Sequence, residues 1–355
     1  MTDIITTLQG VDKIPDATIH TASSTSCFMR CAKLYHYKYE LGYRQAATIP
    51  AYLIGTAVHI GLESFWKGEP FTAAMASIVK FVKTESYFTT DAGKLEQARV
   101  YAYIKGYYSK WASDLDLYEV LGVEVEFKRV KRDTQNSRLV FGDVLKGQVV
   151  AGKLDALVRR KSDGQLIIIE HKTAGAYSKA DDFGSTYWSK LSMDNQACIY
   201  VDNIEKLTGE KPLIMYDIVL KTRSTPLKSK KRKKKDETDS EFQLRYQADS
   251  ESMQGYQTRL ANKYVAECDS RYFRQIVYFA GGELEEKIEE IESVSQAIDS
   301  NVGGTRIRNT VACNSFGSTC EFMGVCTGLE QLDDPKFIKK ETAHEELQQE
   351  KETQV

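Results

Sequence analysis

The sequence has no apolar run near the ~20 residues that a helix needs to cross a bilayer. Its start lacks a basic region followed by an apolar one, so no signal peptide is expected. The formal net charge is only −2, which gives no global basic field for nucleic acid. The 355 residues are 42% apolar and 28% charged, which is typical of a globular protein. We expect a cytoplasmic protein of a bacterium, archaeon or phage-infected cell.

Two short C-x2–4-C knuckles are also missing. The seven cysteines are an odd number, which argues against a disulfide framework and favours a metal site or chance. Cys313, Cys320 and Cys326 form a C-x6-C-x5-C triplet, whereas a zinc ribbon would normally have two C-x2–4-C knuckles. A [4Fe–4S] cluster more readily accepts such a triplet with one remote ligand. Cys27 and Cys31 lie one helical turn apart, so geometry alone does not choose between them as that ligand.

Charge is distributed unevenly. Nine Lys or Arg and no acid occur between Lys221 and Lys235, within a segment (222–240) whose lack of hydrophobic periodicity predicts a mobile loop. The run could be a nuclear-import signal, an arm that follows phosphates, or a solvated surface loop. A polar, acidic tail (331–355) ends the chain.

Hydrophobic periodicity predicts one α/β domain with a central mixed sheet and helical additions. Helices are predicted at 24–40, 52–67, 71–83, 93–114, 188–208, 254–268 and 282–299. Strands are predicted at 118–131, 148–160, 165–173 and 213–221, with a further strand possible at 242–247.

The strands 148–160 and 165–173 flank the turn-forming residues KSDG (161–164) and read as an antiparallel hairpin. A four-residue loop places Asp155 opposite Glu170, and a two-residue turn places it opposite Lys172. Both registers put the three side chains on one face, whereas a three-residue loop would send Asp155 to the other face. Opposed carboxylates about 5 Å apart can bind one divalent cation. The alternative is an internal salt bridge with Lys172.

Two helices carry polar pairs at i, i+4 spacing, which lie on one helix face. His59 and Glu63 form one pair, and Gln196 and Tyr200 form the other. A glutamine can hold a water molecule or phosphate, and a tyrosine can position a phosphate or stack on a base. Each pair could equally be ordinary helix packing or surface.

Four motifs occur in an order that resembles the PD-(D/E)XK nuclease superfamily. The likeness is to its RecB/AddB-like exonucleases and to the related CRISPR-adaptation and phage exonucleases that carry an iron–sulfur cluster. The motifs are Gly55-x-x-x-His59, Gly152-Lys153-Leu154-Asp155, Glu170-His171-Lys172 and Gln196-x-x-x-Tyr200. The resemblance implies a restriction-endonuclease-like core, as one domain over residues 1–330.

The resemblance also implies roles for these residues. Asp155 and Glu170 would bind Mg²⁺ or Mn²⁺, with the main-chain carbonyl of His171 and the His59 side chain completing the set. Lys172 would orient the attacking water and stabilise charge on the phosphate. Gln196 and Tyr200 would position the substrate.

A clasp of residues 24–40 and 313–326 is implied as well. The pattern Ser24-x-Ser26-x-Phe28-x-x-Cys31 resembles the family's first motif, so the resemblance favours Cys31 over Cys27 as the remote ligand. The cluster ligands would be Cys31, Cys313, Cys320 and Cys326. In such a protein the basic run would contact DNA through the following side chains: Lys230, Lys231, Arg232, Lys233, Lys234 and Lys235.

The implied function is a metal-dependent DNA exonuclease acting on single strands or strand ends in recombination, repair or replication. A helicase or recombinase partner is possible. One alternative is a non-catalytic DNA-binding iron–sulfur subunit of a larger complex. Another is an unrelated iron–sulfur or zinc protein whose carboxylates form salt bridges.

Overall fold

A mixed sheet of six described strands forms the centre of the molecule, with helices on both faces. The computed structural model describes residues 4–9, 18–46, 49–131, 148–175, 185–279, 281–301, 303–315, 318–344 and 347. None of the helices in these ranges is both long and apolar enough to cross a membrane. The expected architecture, a central mixed sheet between helices, is confirmed.

The regular elements follow each other from helices into the sheet and back to helices. The strands are β1 (Thr18–His20), β2 (Tyr43–Gln45), β3 (Tyr118–Lys131), β4 (Gln148–Arg160), β5 (Leu166–Gly175), β6 (Leu213–Lys221), β7 (Tyr272–Val277), β8 (Asn314–Ser315), β9 (Ser318–Thr319) and β10 (Phe337–Lys339). The helices are α1 (Ile4–Gln9), α2 (Ala22–Arg30), α3 (Ala32–Tyr35), α4 (Pro50–Trp66), α5 (Phe71–Thr84), α6 (Asp91–Lys110), α7 (Asp114–Leu117), α8 (Ser185–Ser192), α9 (Asn195–Thr208), α10 (Asp239–Asp249), α11 (Met253–Ala266), α12 (Glu283–Ser300) and α13 (Met323–Thr327).

The sheet is buried on both faces because β5 and β6 carry nearly continuous apolar runs. Ile167, Ile168 and Ile169 are fully buried. Ile167 and Ile169 pack in the core formed with α4 and α6, and Ile168 packs in the core formed with α9. A strand with apolar residues on both sides therefore carries the polar residues that follow, Glu170 to Lys172, into the interior.

Strand β4 has different neighbours along its two edges. Strand β3 pairs with one edge over nearly its whole length. On the other edge, β1 pairs with residues 148–150 and β5 pairs with residues 156–159. Among the described strands, residues 151–155 therefore have no ladder partner on that edge, and Asp155 lies at the point where the sheet opens.

The structure corrects the sequence predictions at several places. Residues 242–247 lie in helix α10 and not in a strand, because Thr238 and Glu241 form a capping box that begins a helix. The predicted helix 24–40 is interrupted at Cys31, whose backbone is extended (φ −167°). The predicted helix 188–208 is also divided, into α8 and α9, whereas β7 was missed because its burial pattern does not alternate strictly.

The N-terminal helices contact the C-terminal region of the chain. The Lys33 amide donates to the carbonyl of Ile307 (3.2 Å), and Arg306 donates to the carboxylate of Glu40 (2.6 Å). Strand β10 pairs antiparallel with β2. The two ends of the chain thus meet, as a clasp requires; of the acidic tail, residues 345–346 and 348–355 lie outside the described residues.

Candidate active site

The hairpin of β4 and β5 has the register of a four-residue loop. Arg159 pairs with Leu166, and Ala156 pairs with Ile169, which places Asp155 opposite Glu170. Gly164 closes the loop with a positive φ of 74°, a conformation that glycine adopts without steric cost. The first of the two alternative registers is therefore confirmed.

Beyond Ala156 and Ile169 the two strands separate. The Asp155 side chain there accepts a hydrogen bond that a neighbouring strand would otherwise accept. Its Oδ2 accepts a hydrogen bond from the main-chain amide of His171 (2.7 Å). Its Oδ1 lies 3.3 Å from Nδ1 of His59 on α4. Asp155 is therefore held from two sides, by β5 and by α4.

The pairing of Asp155 with His59 changes the proton affinity of both groups. Burial opposes the charge of Asp155, but His59 and the His171 amide outweigh it and lower the pKa of Asp155 well below its usual range. Burial would lower the pKa of His59, but the Asp155 carboxylate outweighs it and raises that pKa to about 9. The pair is thus an ion pair at neutral pH.

Of the two predicted carboxylates, Glu170 has the surroundings that stabilise its charge less. It is 3% exposed, and one of its oxygens, Oε2, is buried without a hydrogen-bond partner among the residues that the structure describes. Burial and the charge of Asp155 raise the pKa of Glu170 to about 7, although Lys172 opposes the shift. An unpaired buried carboxylate oxygen costs free energy, so this oxygen is suited to a cation.

Lys172 lies at the centre of a chain of hydrogen bonds. Its Nζ donates to Oε1 of Glu170 (2.8 Å) and to Oε1 of Gln196 (2.8 Å). Gln196 Nε2 in turn lies 2.9 Å from the hydroxyl of Tyr200, which donates to the carbonyl of Lys153 (2.8 Å). The predicted pair on α9 therefore fixes the lysine, and its interpretation as mere helix surface is wrong.

Gly152 makes this arrangement possible. A Cβ atom at this position would lie 2.6 Å from the Tyr200 ring and 2.7 Å from the Phe127 ring. Only a residue without a side chain lets the tyrosine cross β4 and reach the Lys153 carbonyl. This explains the glycine that begins the Gly152-x-x-Asp155 motif.

Glu124 joins the site although the sequence analysis did not select it. It lies on β3 with a positive φ of 54°, which is uncommon outside glycine. One ligand atom each from Glu124, His59 and Asp155 lies within 4.8 Å of the others, and this is the only such group of three or more in the described part of the chain. Glu124 is paired with Lys153 (2.5 Å). The feature that identifies it is the register of β3 against β4. The pairs Val123–Ala156 and Val125–Leu154 on either side put Glu124 opposite Asp155.

Two predicted or considered residues lie apart from this group. The His171 side chain is 2% exposed and faces Asp217 on β6, so only its main chain belongs to the opening of the sheet. Glu63 forms an ion pair with Lys67 on its own helix (2.6 Å). The donor set of carboxylates with one imidazole fits a hard divalent cation such as Mg²⁺ or Mn²⁺.

The four cysteines chosen as cluster ligands line one cavity of about 370 Å³. These are Cys31, Cys313, Cys320 and Cys326. Tyr37 and Phe322 also line the cavity, whereas Cys27 does not; burial raises the pKa of the Cys27 thiol to about 12. Within the described residues, no three of these sulfur atoms lie within 4.8 Å of one another.

The basic segment leads into a structured projection, which we call the finger (residues 227–251). Two hydrogen bonds of 2.8 Å between Leu227 and Glu251 close its base. Lys231 pairs with Asp249 (2.8 Å), and Lys233 pairs with Asp239 (2.5 Å). The other cations between Lys228 and Lys235 are exposed, and their side chains form no ion pair with the residues described: Lys228, Lys230, Arg232, Lys234 and Lys235.

Comparison with known proteins places this geometry in context. A model of the PD-(D/E)XK nuclease superfamily matches residues 20–327. A crystal structure from Eubacterium rectale, of a protein named as a candidate exonuclease, is similar at 14% sequence identity over 89% of each chain, with a TM-score of 0.46. No curated protein matches the sequence.

The raised pKa of Glu170 predicts how this site affects stability in the metal-free protein. Folding raises the pKa of Glu170 from 4.5 to about 7. The contribution of protonated Glu170 to the free energy of unfolding is therefore fully present below pH 4.5 and is lost as the pH rises through about 7. Glu170→Gln mimics the protonated form. The variant should therefore gain stability relative to the wild type as the pH rises, by about 1.4 kcal/mol per unit of pKa shift that Glu170 retains.

Thermal unfolding in EDTA at about pH 5 and about pH 8 measures this difference. Glu210→Gln is the control, since a hydrogen bond from half-buried Arg159 lowers the pKa of exposed Glu210. Its stability difference should have the opposite sign and be smaller. A stability difference between Glu170→Gln and the wild type that stays constant with pH would contradict the prediction.

Proposed function

The chain belongs to the PD-(D/E)XK nuclease superfamily, and on this premise we propose that it is a metal-dependent deoxyribonuclease that degrades DNA from strand ends. The observation that carries the proposal is the arrangement around Lys172. One side chain joins a buried carboxylate, Glu170, to the Gln196–Tyr200 pair at the opening of the sheet. The choice of strand ends and the place in recombination, repair or replication rest on the sequence resemblance.

Asp155 and Glu170 are the carboxylates that would hold Mg²⁺ or Mn²⁺, with His59 and the main-chain carbonyl of His171. The unpaired Oε2 of Glu170 supports this role, and the proximity of Glu124 to Asp155 offers a further carboxylate. An imidazole ligand favours Mn²⁺ over Mg²⁺. When bound, the cation supplies Lewis-acid stabilisation of the phosphate and lowers the pKa of the attacking water.

Lys172 supplies a positive charge that is already oriented. Its Nζ is held by two acceptors, Glu170 and Gln196, so it does not have to reorganise as charge develops on the phosphate. The glutamate beside it favours the charged form, and although burial opposes this, the pKa of Lys172 is raised. The ammonium group therefore stays protonated while it orients the water and stabilises the oxygens of the phosphate.

Lys172→Ala should lower the rate of cleavage by about 100-fold or more, because it removes a preorganised charge from the reacting centre. The measurement is degradation of end-labelled linear single-stranded DNA in Mn²⁺ by anaerobically purified protein. Lys206→Ala is the control, since that lysine pairs with Asp202 on the surface of α9.

A covalently closed circular single strand, offered in parallel, should survive if the enzyme needs an end, and the label position gives the polarity. Cleavage of the circle would reject the exonuclease assignment. If wild type and Lys172→Ala bind DNA alike and neither cuts, the protein is instead a DNA-binding subunit.

We also propose that Cys31, Cys313, Cys320 and Cys326 hold a [4Fe–4S] cluster with a structural role. Their place around one cavity supports this, and so does the position of Cys31 at the break between α2 and α3. A link between residue 31 and residues 313–326 would close a loop of nearly 300 residues. Such a closure restricts the unfolded chain, as a disulfide does.

Cys320→Ala should lose the visible colour of the cluster, solubility and nuclease activity together. Cys268→Ala is the control, because that cysteine packs at the edge of the main core and does not line the cavity. Cys27→Ala should keep the colour, which distinguishes it from Cys31→Ala. A folded, fully active Cys320→Ala protein would refute the structural role.

The finger is proposed to contact DNA phosphates without sequence preference. Its unpaired cations would release counterions from DNA, and each lost phosphate contact should reduce the salt slope of binding by about 0.7 on a single strand. Replacing Lys228, Lys230, Arg232, Lys234 and Lys235 by glutamine should therefore weaken binding and flatten its salt dependence.

Binding to a labelled single strand, measured between about 50 and 200 mM salt, tests this. The control is Lys231→Gln with Lys233→Gln, which removes cations that already pair with Asp249 and Asp239. An unchanged salt slope in the five-fold variant would reject contact with DNA.

A further inference from the structure

A row of buried polar side chains crosses three strands behind the candidate active site. His171 on β5 is the register partner of Asp217 on β6, and Asp217 is the register partner of Arg274 on β7. Asp217 is completely buried, and the Arg274 side chain is 8% exposed. The row therefore extends from the hydrogen bond that holds Asp155 into the interior of the protein.

Asp217 is the centre of this row. Its Oδ2 accepts hydrogen bonds from Arg274 (3.0 Å) and from the Tyr107 hydroxyl, and lies 3.3 Å from Nδ1 of His171. Its other oxygen, Oδ1, is buried without a hydrogen-bond partner within the described ranges. A buried, half-satisfied carboxylate is costly for stability, which points to a role other than stability.

Arg274 does not need Asp217 for its charge to be compensated. It also donates to Asp114 on α7, and its guanidinium lies 3.8 Å from the centre of the Trp111 ring. Asp114 pairs with the same arginine but is not among the groups near His171. The two acids thus share one cation, and only Asp217 touches the histidine.

His171 connects the row to the site in two ways. Its main-chain amide holds Asp155, and its ring meets the His59 ring edge-on at a centroid distance of 6.0 Å. His59 in turn contacts Asp155 from the other side. A shift of the His171 ring would therefore move the His59 ring, one of the two groups that orient Asp155.

We propose that Asp217 is a positioning residue of the active site: it fixes the His171 ring, which supports His59 against Asp155. The inference rests on the proposed function of this site and extends it to a residue that touches neither substrate nor cation. Loss of a partner of this kind typically costs 10- to 100-fold in metal affinity or activity.

A double-mutant cycle of Asp217→Asn and His59→Ala tests the connection. We expect Asp217→Asn to lower kcat on the labelled single strand by about tenfold and to weaken Mn²⁺ binding, with KM little changed. In the His59→Ala background the same substitution should change either value by no more than about twofold. Equal losses in both backgrounds would show that Asp217 does not act through His59 and would overturn the proposal.

Asp114→Asn is the matched control, because it removes the other acid from Arg274 without touching His171. It should lower thermal stability but leave kcat within about twofold of the wild type. A loss of kcat equal to that of Asp217→Asn would overturn the proposal. If Asp217→Asn does not fold, Tyr107→Phe removes one hydrogen bond to Asp217 and keeps the aromatic ring. It should lower kcat and Mn²⁺ affinity by less than Asp217→Asn does, and this loss should also vanish in the His59→Ala background.

Mn²⁺ binding is measured from the electron paramagnetic resonance signal of the free ion, without DNA. This readout separates the proposed nuclease activity from the proposed positioning role of Asp217. If the wild type does not cleave DNA but the cycle in Mn²⁺ affinity shows coupling, the nuclease proposal fails and the positioning role stands. If cleavage occurs and the cycle is additive, the reverse holds.

Discussion

The separation of β4 from β5 after the Ala156–Ile169 pair is the constraint on which the site depends. Separated strands leave main-chain groups without partners, and a buried amide without an acceptor is costly. Asp155 solves this locally, since its carboxylate accepts the hydrogen bond of the His171 amide. The residue that resembles a cation ligand therefore also keeps the opening in the sheet intact, and its side chain is fixed before any ligand arrives.

Burying several charges in this opening requires that they be balanced within the chain. Asp155 faces His59, Glu170 faces Lys172, and Glu124 faces Lys153. The balance is incomplete only at Glu170, whose second oxygen is unpaired and whose pKa is raised to about 7. The unpaired oxygen is the group of the opening that a cation would satisfy, in line with the role proposed for Glu170.

The sequence predicted the parts of this site that depend on local patterns. The hairpin followed from its turn residues, and the Gln196–Tyr200 pair followed from helical spacing; their actual contacts depend on Gly152, far along the chain. Glu124 was missed because the register of β3 against β4 puts it opposite Asp155, which the pattern along β3 does not reveal. The period-two pattern of 242–247 misled in the same way, since a capping box outside that window decides for helix α10. Local patterns fixed elements and spacing, whereas register and side-chain direction came from tertiary contacts.

The cysteine cavity lies in a region that ordinary packing holds weakly. Its hydrophobic cluster is small and is built on the following buried side chains: Leu34, Tyr37, Phe322 and Phe337. Partly buried side chains such as Leu41 and Val325 pack against it. The pairing of β10 with β2 and the ion pair of buried Arg306 with Glu40 are the other contacts that join this region. The four cysteines line the cavity of this region, where the proposed cluster would add a crosslink to a small apolar core.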